Sequence, residues 1–292
     1  MDDIVKIHKG IYYQQLQSPR SSIEKCSKAV VFDVDETFGY FFDLKILWDC
    51  LVKINIKYDT QHHFNQLLNL FPEFLRYGIL PILDYLYRKK KTSDCFKIYV
   101  YTNNKFEKEW VNHILNYFSY KLNCQTNQLF DHVIYAFKLN NKIIEPIRTT
   151  NSKTFGDFIK CTMLPVSTEI CFIDNNYFPG MKNERVYYIQ PFSYYHDLTR
   201  GDVVKRFINS TLWLHNTYND TEYKKDIHSF LQLTPKPENI RKLMKTNIDT
   251  QVAKKMMYNI KEFFYFPSKK NKTRKNNIML KRVTRKKYVN VL

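Results

Sequence analysis

The sequence predicts an α/β protein built on a doubly wound parallel sheet. Three observations lead there. Short, nearly continuous apolar runs recur at 29–34 (AVVFDV), 96–101 (FKIYVY), 132–137 (HVIYAF), 169–174 (EICFID) and 186–190 (VYYIQ), as expected of strands covered on both faces. Patterns of helical period separate them. Glycine is scarce, at 6 in 292 residues against 22 Tyr and 22 Phe, which argues against a loop-rich β-sandwich and a Gly-rich phosphate loop.

In chain order, residues 1–27 form an N-terminal extension and the first strand begins the main domain, 28–233. Residues 38–95 are long for one crossover. Two stretches there, FFDLKILWDCLVKI and HFNQLLNLFPEF, are apolar at helical spacing and predict a helical insertion, placed as a cap over the site or beside it. Pro81 opens a further helix, PILDYLYRKKK, where its missing N–H costs nothing. After the second strand, Phe106, Trp110, Val111, Ile114, Leu115 and Phe118 share one helical stripe. Two more helical patterns follow the last strand, and the Pro-punctuated 234–239 reads as a joint. Beyond it Ile240, Leu243, Met244, Ile248, Val252, Met256 and Ile260 mark a C-terminal helix over 234–267. No internal repeat is present.

Charge is unevenly spread. The chain carries +18, but residues 241–292 hold 16 Lys+Arg against 2 Asp+Glu, so the body is near neutral. Residues 268–287 contain ten basic residues and no acid. The tail 268–292 is expected to be disordered, and to serve as a solubilising segment, an import signal, or an arm for nucleic acid or an acidic partner. No apolar run reaches a membrane span, the N-terminus lacks the order of a secretory signal, and the six cysteines form no C-x-x-C pair. These features predict a cytoplasmic or nuclear protein with reduced thiols and no membrane partner. The abundance of Lys, Asn, Ile and Tyr fits an AT-rich coding sequence, such as that of a large DNA virus.

The chemistry concentrates at strand ends, where open α/β sheets bind ligands. Asp33 and Asp35 follow the first strand at i and i+2, which turns both to one side. Crowded carboxylates become tolerable around a hard divalent cation such as Mg²⁺, or as a solvated strand cap. Thr102 ends the second strand just before a helix, where a hydroxyl and free N–H groups hold phosphate oxygens. Asp174 and Asn175 end the fourth strand and offer further oxygens. Lys153 opens a helix between them as a point charge for phosphate, with Lys160 as its competitor.

In this order VFDVDETF, YVYTNN, Lys153 and CFIDNN resemble the four motifs of the haloacid dehalogenase superfamily of aspartate-nucleophile phosphotransferases. The Asp-x-Asp-Glu-Thr and Asp-Asn elements are most similar to its NIF-like branch, that of the RNA polymerase II C-terminal-domain phosphatases and the small CTD phosphatases. The resemblance covers about residues 28–200. It implies Asp33 as nucleophile and Asp35 as general acid and base. It implies Mg²⁺ on Asp33, the Asp35 main-chain carbonyl, Asp174 and Asn175, with Asp174 also orienting Lys153 or a metal-bound water. Thr102 and Lys153 would hold the phosphoryl group, Asn103 would lie at the substrate, and Thr37 would brace the loop at the substrate side; Glu36 matches the motif without an assigned role. The sequence departs from the branch in Asn103–Asn104 after the hydroxyl and in Asn176-Tyr177-Phe178 after the Asp-Asn pair, and both departures bear on substrate recognition.

The expected activity is an Mg²⁺-dependent phosphatase acting on phosphoserine or phosphothreonine in proteins. The alternatives are the same chemistry on a small metabolite or a nucleic-acid phosphate terminus, and a non-catalytic binding protein that keeps the fold. His62–His63 lacks a second ligand pair at metal spacing, and His196 reads as a cap after the last strand.

Overall fold

The computed structural model describes residues 4–11, 28–54, 60–92, 96–214, 227 and 245–265. The basic tail, the joint at 234–239 and nearly all of the helical pattern before it lie outside the described residues.

The element order is β1 (Val5–Lys9), β2 (Lys28–Phe32), α1 (Phe42–Ile54), α2 (Thr60–Leu70), α3 (Ile79–Lys91), β3 (Phe96–Tyr101), α4 (Lys108–Lys121), α5 (Thr126–Leu129), β4 (His132–Ile134), β5 (Lys138–Leu139), β6 (Lys142–Ile143), α6 (Phe155–Thr162), β7 (Glu169–Ile173), β8 (Val186–Pro191), α7 (Arg200–Ile208), α8 (Thr211–Leu214) and α9 (Lys245–Tyr265). Six strands form one sheet in the order β1-β8-β7-β2-β3-β4. All its pairings are parallel except β1 with β8. The chain runs outward from β2 through β3 and β4, then crosses back to β7 on the other side of β2. The order therefore reverses between β2 and β7, and such a switch point opens a crevice at the carboxyl ends of the strands. β5 and β6 pair as a small hairpin.

The pleat sorts each strand onto two faces. Val30, Phe32, Ile98, Val100, Cys171, Ile173, Tyr187 and Ile189 join one buried cluster with side chains of α1 to α4, α7 and α9. Ala29, Val31, Tyr99, Tyr101, Ile170, Phe172, Val186 and Tyr188 join the other, covered by α6 through Phe158 and Cys161. Helices on both faces of a mostly parallel sheet are the expected α/β architecture.

Several boundaries differ from the sequence reading for physical reasons. Residues 5–9, expected in an N-terminal extension, supply the antiparallel edge strand against β8. The run expected as a strand over 132–137 pairs only to Ile134, because the Tyr135 carbonyl turns to accept from Arg148. The 38–95 segment does not form a separate body: Leu44, Leu47 and Leu51 of α1, Phe64, Leu67 and Leu68 of α2, and Ile82, Leu83 and Leu86 of α3 belong to the same core as β2 and β3. It is a flanking layer. The helix opened by Pro81 starts two residues earlier, after Gly78 in the left-handed region (φ 78°), and Pro81 remains in the first turn. The C-terminal helix packs on the sheet, with Val252, Met256, Ile260 and Phe263 buried and the Asn259 side-chain oxygen accepting from the Tyr187 hydroxyl at 2.9 Å.

Candidate active site

β2 and β7 are adjacent and in register, Phe32 beside Ile173, so the next residues, Asp33 and Asp174, stand side by side. Hydrogen bonding continues past the strand ends, from Asp33 N–H to Ile173 O at 2.9 Å and from Asp174 N–H to Ile189 O at 3.2 Å. Lys153 closes the pair. Its Nζ lies 2.5 Å from Asp33 Oδ1 and 2.6 Å from Asp174 Oδ2. The three side chains are 5%, 0% and 1% exposed for Asp33, Asp174 and Lys153. The rings of Tyr101, Phe172 and Phe178 surround the ammonium at 5.2–5.9 Å.

Local sequence explains how Lys153 gets there. Thr154 caps α6 by accepting the Asp157 N–H at 3.0 Å, and the Asp157 carboxylate accepts from the Thr149 N–H and hydroxyl. The Thr154 N–H donates to the Tyr101 hydroxyl at the end of β3. Lys153 is thus the last residue before a cap tied to the sheet; the helix begins at Phe155 instead of at Lys153 itself. Lys160 lies exposed on α6, away from this cluster, so of the two candidates the fold brings only Lys153 to the acids.

Electrostatics follow from burial. Desolvation alone would lower the Lys153 pKa, but Asp174 and Asp33 outweigh it and hold the ammonium above its ordinary value. Burial pushes the Asp174 carboxyl up to about 7, against the pull of Lys153. Asp35 is pushed up to about 7 as well, first by burial and then by the charge of Asp33.

The loop after β2 is held by main-chain contacts. Thr37 and Phe38 donate their N–H groups to Val34 O, and Glu36 N–H donates to Gly39 O. Glu36 occupies the left-handed region at φ 58°. A Cβ on Gly39 would lie 2.3 Å from the Phe74 carbonyl oxygen, so only glycine admits that approach. Arg76, itself buried, donates from Nε to Thr37 O at 2.7 Å and from Nη2 to Phe192 O at 2.6 Å and to Glu36 O. Loss of hydration lowers its pKa to about 10.

The remaining predicted residues divide. The Thr37 hydroxyl donates to Asn175 Oδ1 at 3.0 Å and accepts the Asn175 N–H, and it is fully buried; it braces two motifs and does not reach a substrate. Asn175 Nδ2 donates to Glu36 Oε2 and Ser193 Oγ, both at 3.0 Å. Thr102 is buried at the tip of β3, but five residues separate it from α4, so no helix N-terminus adjoins it as the sequence suggested. Asn103, expected at the substrate, is turned away: its Oδ1 accepts from Arg148 Nη2 at 2.8 Å. Besides Arg76, two residues escaped sequence reasoning. Arg148, 2% exposed, donates to Thr102 O, Tyr135 O, Asn103 Oδ1, Asn151 O and Ser152 O. Asn104 donates to Asp35 Oδ2 at 2.8 Å. The departure of Asn103–Asn104 from the resembled pattern was the signal for the second; an arginine in a polar loop gave none for the first.

The donor set bears on a cation. Among the described residues no group of three or more His, Cys, Asp or Glu is arranged for a metal. Asp174 has one carboxylate oxygen on Lys153 and the other on the Asn176 N–H at 2.9 Å, and each keeps a further lone pair. Beside it stand the Asp33 carboxylate, of which Lys153 takes one oxygen, the Asp35 carbonyl and the Asn175 side-chain oxygen, which has a second lone pair beyond the Thr37 bond. All are hard oxygen donors and fit Mg²⁺ in type.

Fold and site together define an α/β protein with a buried lysine–carboxylate cluster at the switch point of its sheet. No family model, curated protein or solved structure matches the chain. Among the described residues no helix is long and apolar enough to cross a membrane.

Proposed function

We propose that the chain is a divalent-cation-dependent phosphatase of the haloacid dehalogenase type, acting through an aspartyl-phosphate on phosphoserine or phosphothreonine of proteins. The observation that carries the reading is the Lys153 ammonium bridging Asp33 and Asp174 at the tips of adjacent parallel strands, with Asp35 two residues beyond. Residues of three motifs, Asp33, Lys153 and Asp174, meet there, and Asn104 of the fourth donates to Asp35 Oδ2 at 2.8 Å, which supports the reading.

Asp33 is the nucleophile. Lys153 pairs with one of its oxygens, and an Asp33 oxygen attacks phosphorus as the bond to the leaving oxygen breaks. Asp35 gives its proton to that oxygen, then takes one from the water that opens the aspartyl-phosphate. A carboxyl lifted to about 7 holds and releases protons in the neutral range, which suits both tasks. Asp33, the Asp35 carbonyl and Asn175, beside Asp174, would hold Mg²⁺, which when bound would neutralise charge on the phosphoryl oxygens. Asp174 serves Lys153. Thr102 follows β3, the strand beside β2, and its hydroxyl accepts the Asn104 N–H.

The substrate class follows from the layer formed by α1 to α3. Because these helices are part of the core, they are not free to close over the site as a lid, and a site without such a lid fits a phosphorylated side chain on a protein. A panel of phosphopeptides, nucleotides and phosphorylated oligonucleotides, assayed with Mg²⁺ on the wild type and Asp33→Asn, tests the reading. Turnover of phosphopeptides by the wild type alone supports it. Turnover by a folded Asp33→Asn protein removes the mechanism, and preference for nucleotides or oligonucleotides removes the substrate class.

A further inference from the structure

Asn104 touches Asp35, and its geometry leaves it one orientation. The Phe106 main-chain N–H donates to Asn104 Oδ1 at 2.8 Å. An oxygen must face that N–H, so the NH₂ must face Asp35 Oδ2, at 2.8 Å. The Asn104 main-chain N–H donates to Thr102 Oγ1 at 3.0 Å, and Arg148 grips the Thr102 carbonyl and the Asn103 side chain just before it. Asn104 is 7% exposed and held at three points.

We propose that Asn104 is a positioning residue for proton transfer: it pins one oxygen of Asp35 and thereby makes the other, Oδ1, the oxygen that exchanges a proton with the leaving group. This rests on the phosphatase reading above and refines it. The reason is stereochemical. An amide NH₂ only donates, and the carbonyl oxygen of a carboxylic acid accepts better than its O–H oxygen, so the contact favours the acid form with its proton on Oδ1. A terminal carboxyl torsion is otherwise broad, and a freely turning carboxyl spends part of its time misaligned. Transfer needs heavy atoms about 2.6–3.2 Å apart, so alignment enters the rate directly. It matters most where the leaving oxygen is a poor one, such as serine, and least where it is an activated phenol.

The test compares the full-length wild type with Asn104→Ser and Asn104→Asp, with Mg²⁺, on a phosphoserine peptide and on nitrophenyl phosphate. Both substitutions keep an oxygen that can accept the Phe106 N–H, and both remove the amide donor. Serine is the milder and adds no charge beside Asp35, so a fold lost by one variant leaves the other to report; circular dichroism verifies each. The expected result is a fall in kcat of about 30-fold or more on the phosphopeptide and less than about 3-fold on the aryl phosphate, with KM for each nearly unchanged. A merely structural role lowers both substrates alike. Equal losses, or none, with an active wild type and an inactive Asp33→Asn, overturn the role of Asn104 and leave the phosphatase reading standing. A wild type inactive on both substrates, or an active Asp33→Asn, overturns that reading and this inference with it.

Discussion

Replacing Lys153 with Met keeps most of the side-chain volume and removes the charge between two buried acids. In the native protein Nζ satisfies Asp33 and Asp174 at 2.5 and 2.6 Å, with both carboxylates almost wholly out of water. Removing one partner of such a buried set costs about 3–5 kcal/mol, because the acids left behind have lost hydration and partner together. The loss depends on pH. Asp174 already lies near 7 with Lys153 present, well above the ordinary value of 3.8, and rises further without it. A carboxyl whose pKa is higher folded than unfolded binds more protons when folded, so stability falls as pH rises from about 4 through the folded value. The penalty in Lys153→Met is therefore largest near pH 8 and shrinks toward pH 5, where Asp174 takes a proton and becomes neutral. Urea unfolding of wild type and variant at pH 5 and pH 8 measures this, read as midpoint shifts at unchanged slope. A loss at pH 8 below about 1 kcal/mol, or one equal at both pH values, refutes the claim that the lysine neutralises buried acids.

Three further outcomes follow from the same contacts. Asp35→Asn loses turnover mainly on phosphates with poor leaving groups, and equal loss on a phosphopeptide and an activated aryl phosphate removes Asp35 as the acid. Arg148→Met strips five hydrogen bonds to the segments after β3, after β4 and before α6 and costs about 3 kcal/mol or more by thermal or urea unfolding; a cost below about 1 kcal/mol shows the clamp to be dispensable. Phe263→Ala, at a fully buried position of α9, costs about 3–5 kcal/mol if that helix belongs to the cooperative core, and little in unfolding experiments if it does not.

Much of this arrangement is legible in the sequence, and the exceptions share a cause. Val30, Val31, Phe32, Ile170 and Phe172 announce their strands because central parallel strands are apolar on both faces, and acids at their ends stand out against that run. Val5–Lys9 does not: as an edge strand it alternates apolar and polar residues over four positions, Val5 to His8, too few to separate from a loop. Strand order is invisible because nothing local records that β7 returns to the far side of β2. The 38–95 helices show their apolar faces but not the surface those faces meet. At the site, Asp33, Asp35 and Asp174 are found because each is an acid at a strand tip. Lys153 and Lys160 look alike in sequence, and only the Thr154 cap, tied back to Tyr101, brings the first inward. Arg148, Arg76 and Asn104 are missed because polar residues in loops read as solvated, while their hydrogen bonds reach main-chain atoms and side chains distant in the sequence.

The central claim is that Asp33 carries the phosphoryl group. Rapid acid quench of the wild type during turnover of a phosphopeptide with Mg²⁺, followed by mass spectrometry of the peptide containing Asp33, measures it directly. The expected result is a single phosphoryl adduct on Asp33 that hydroxylamine removes, as an acyl phosphate requires, and that is absent from Asp33→Asn. Steady turnover with no adduct on Asp33, or an adduct on another side chain, contradicts it.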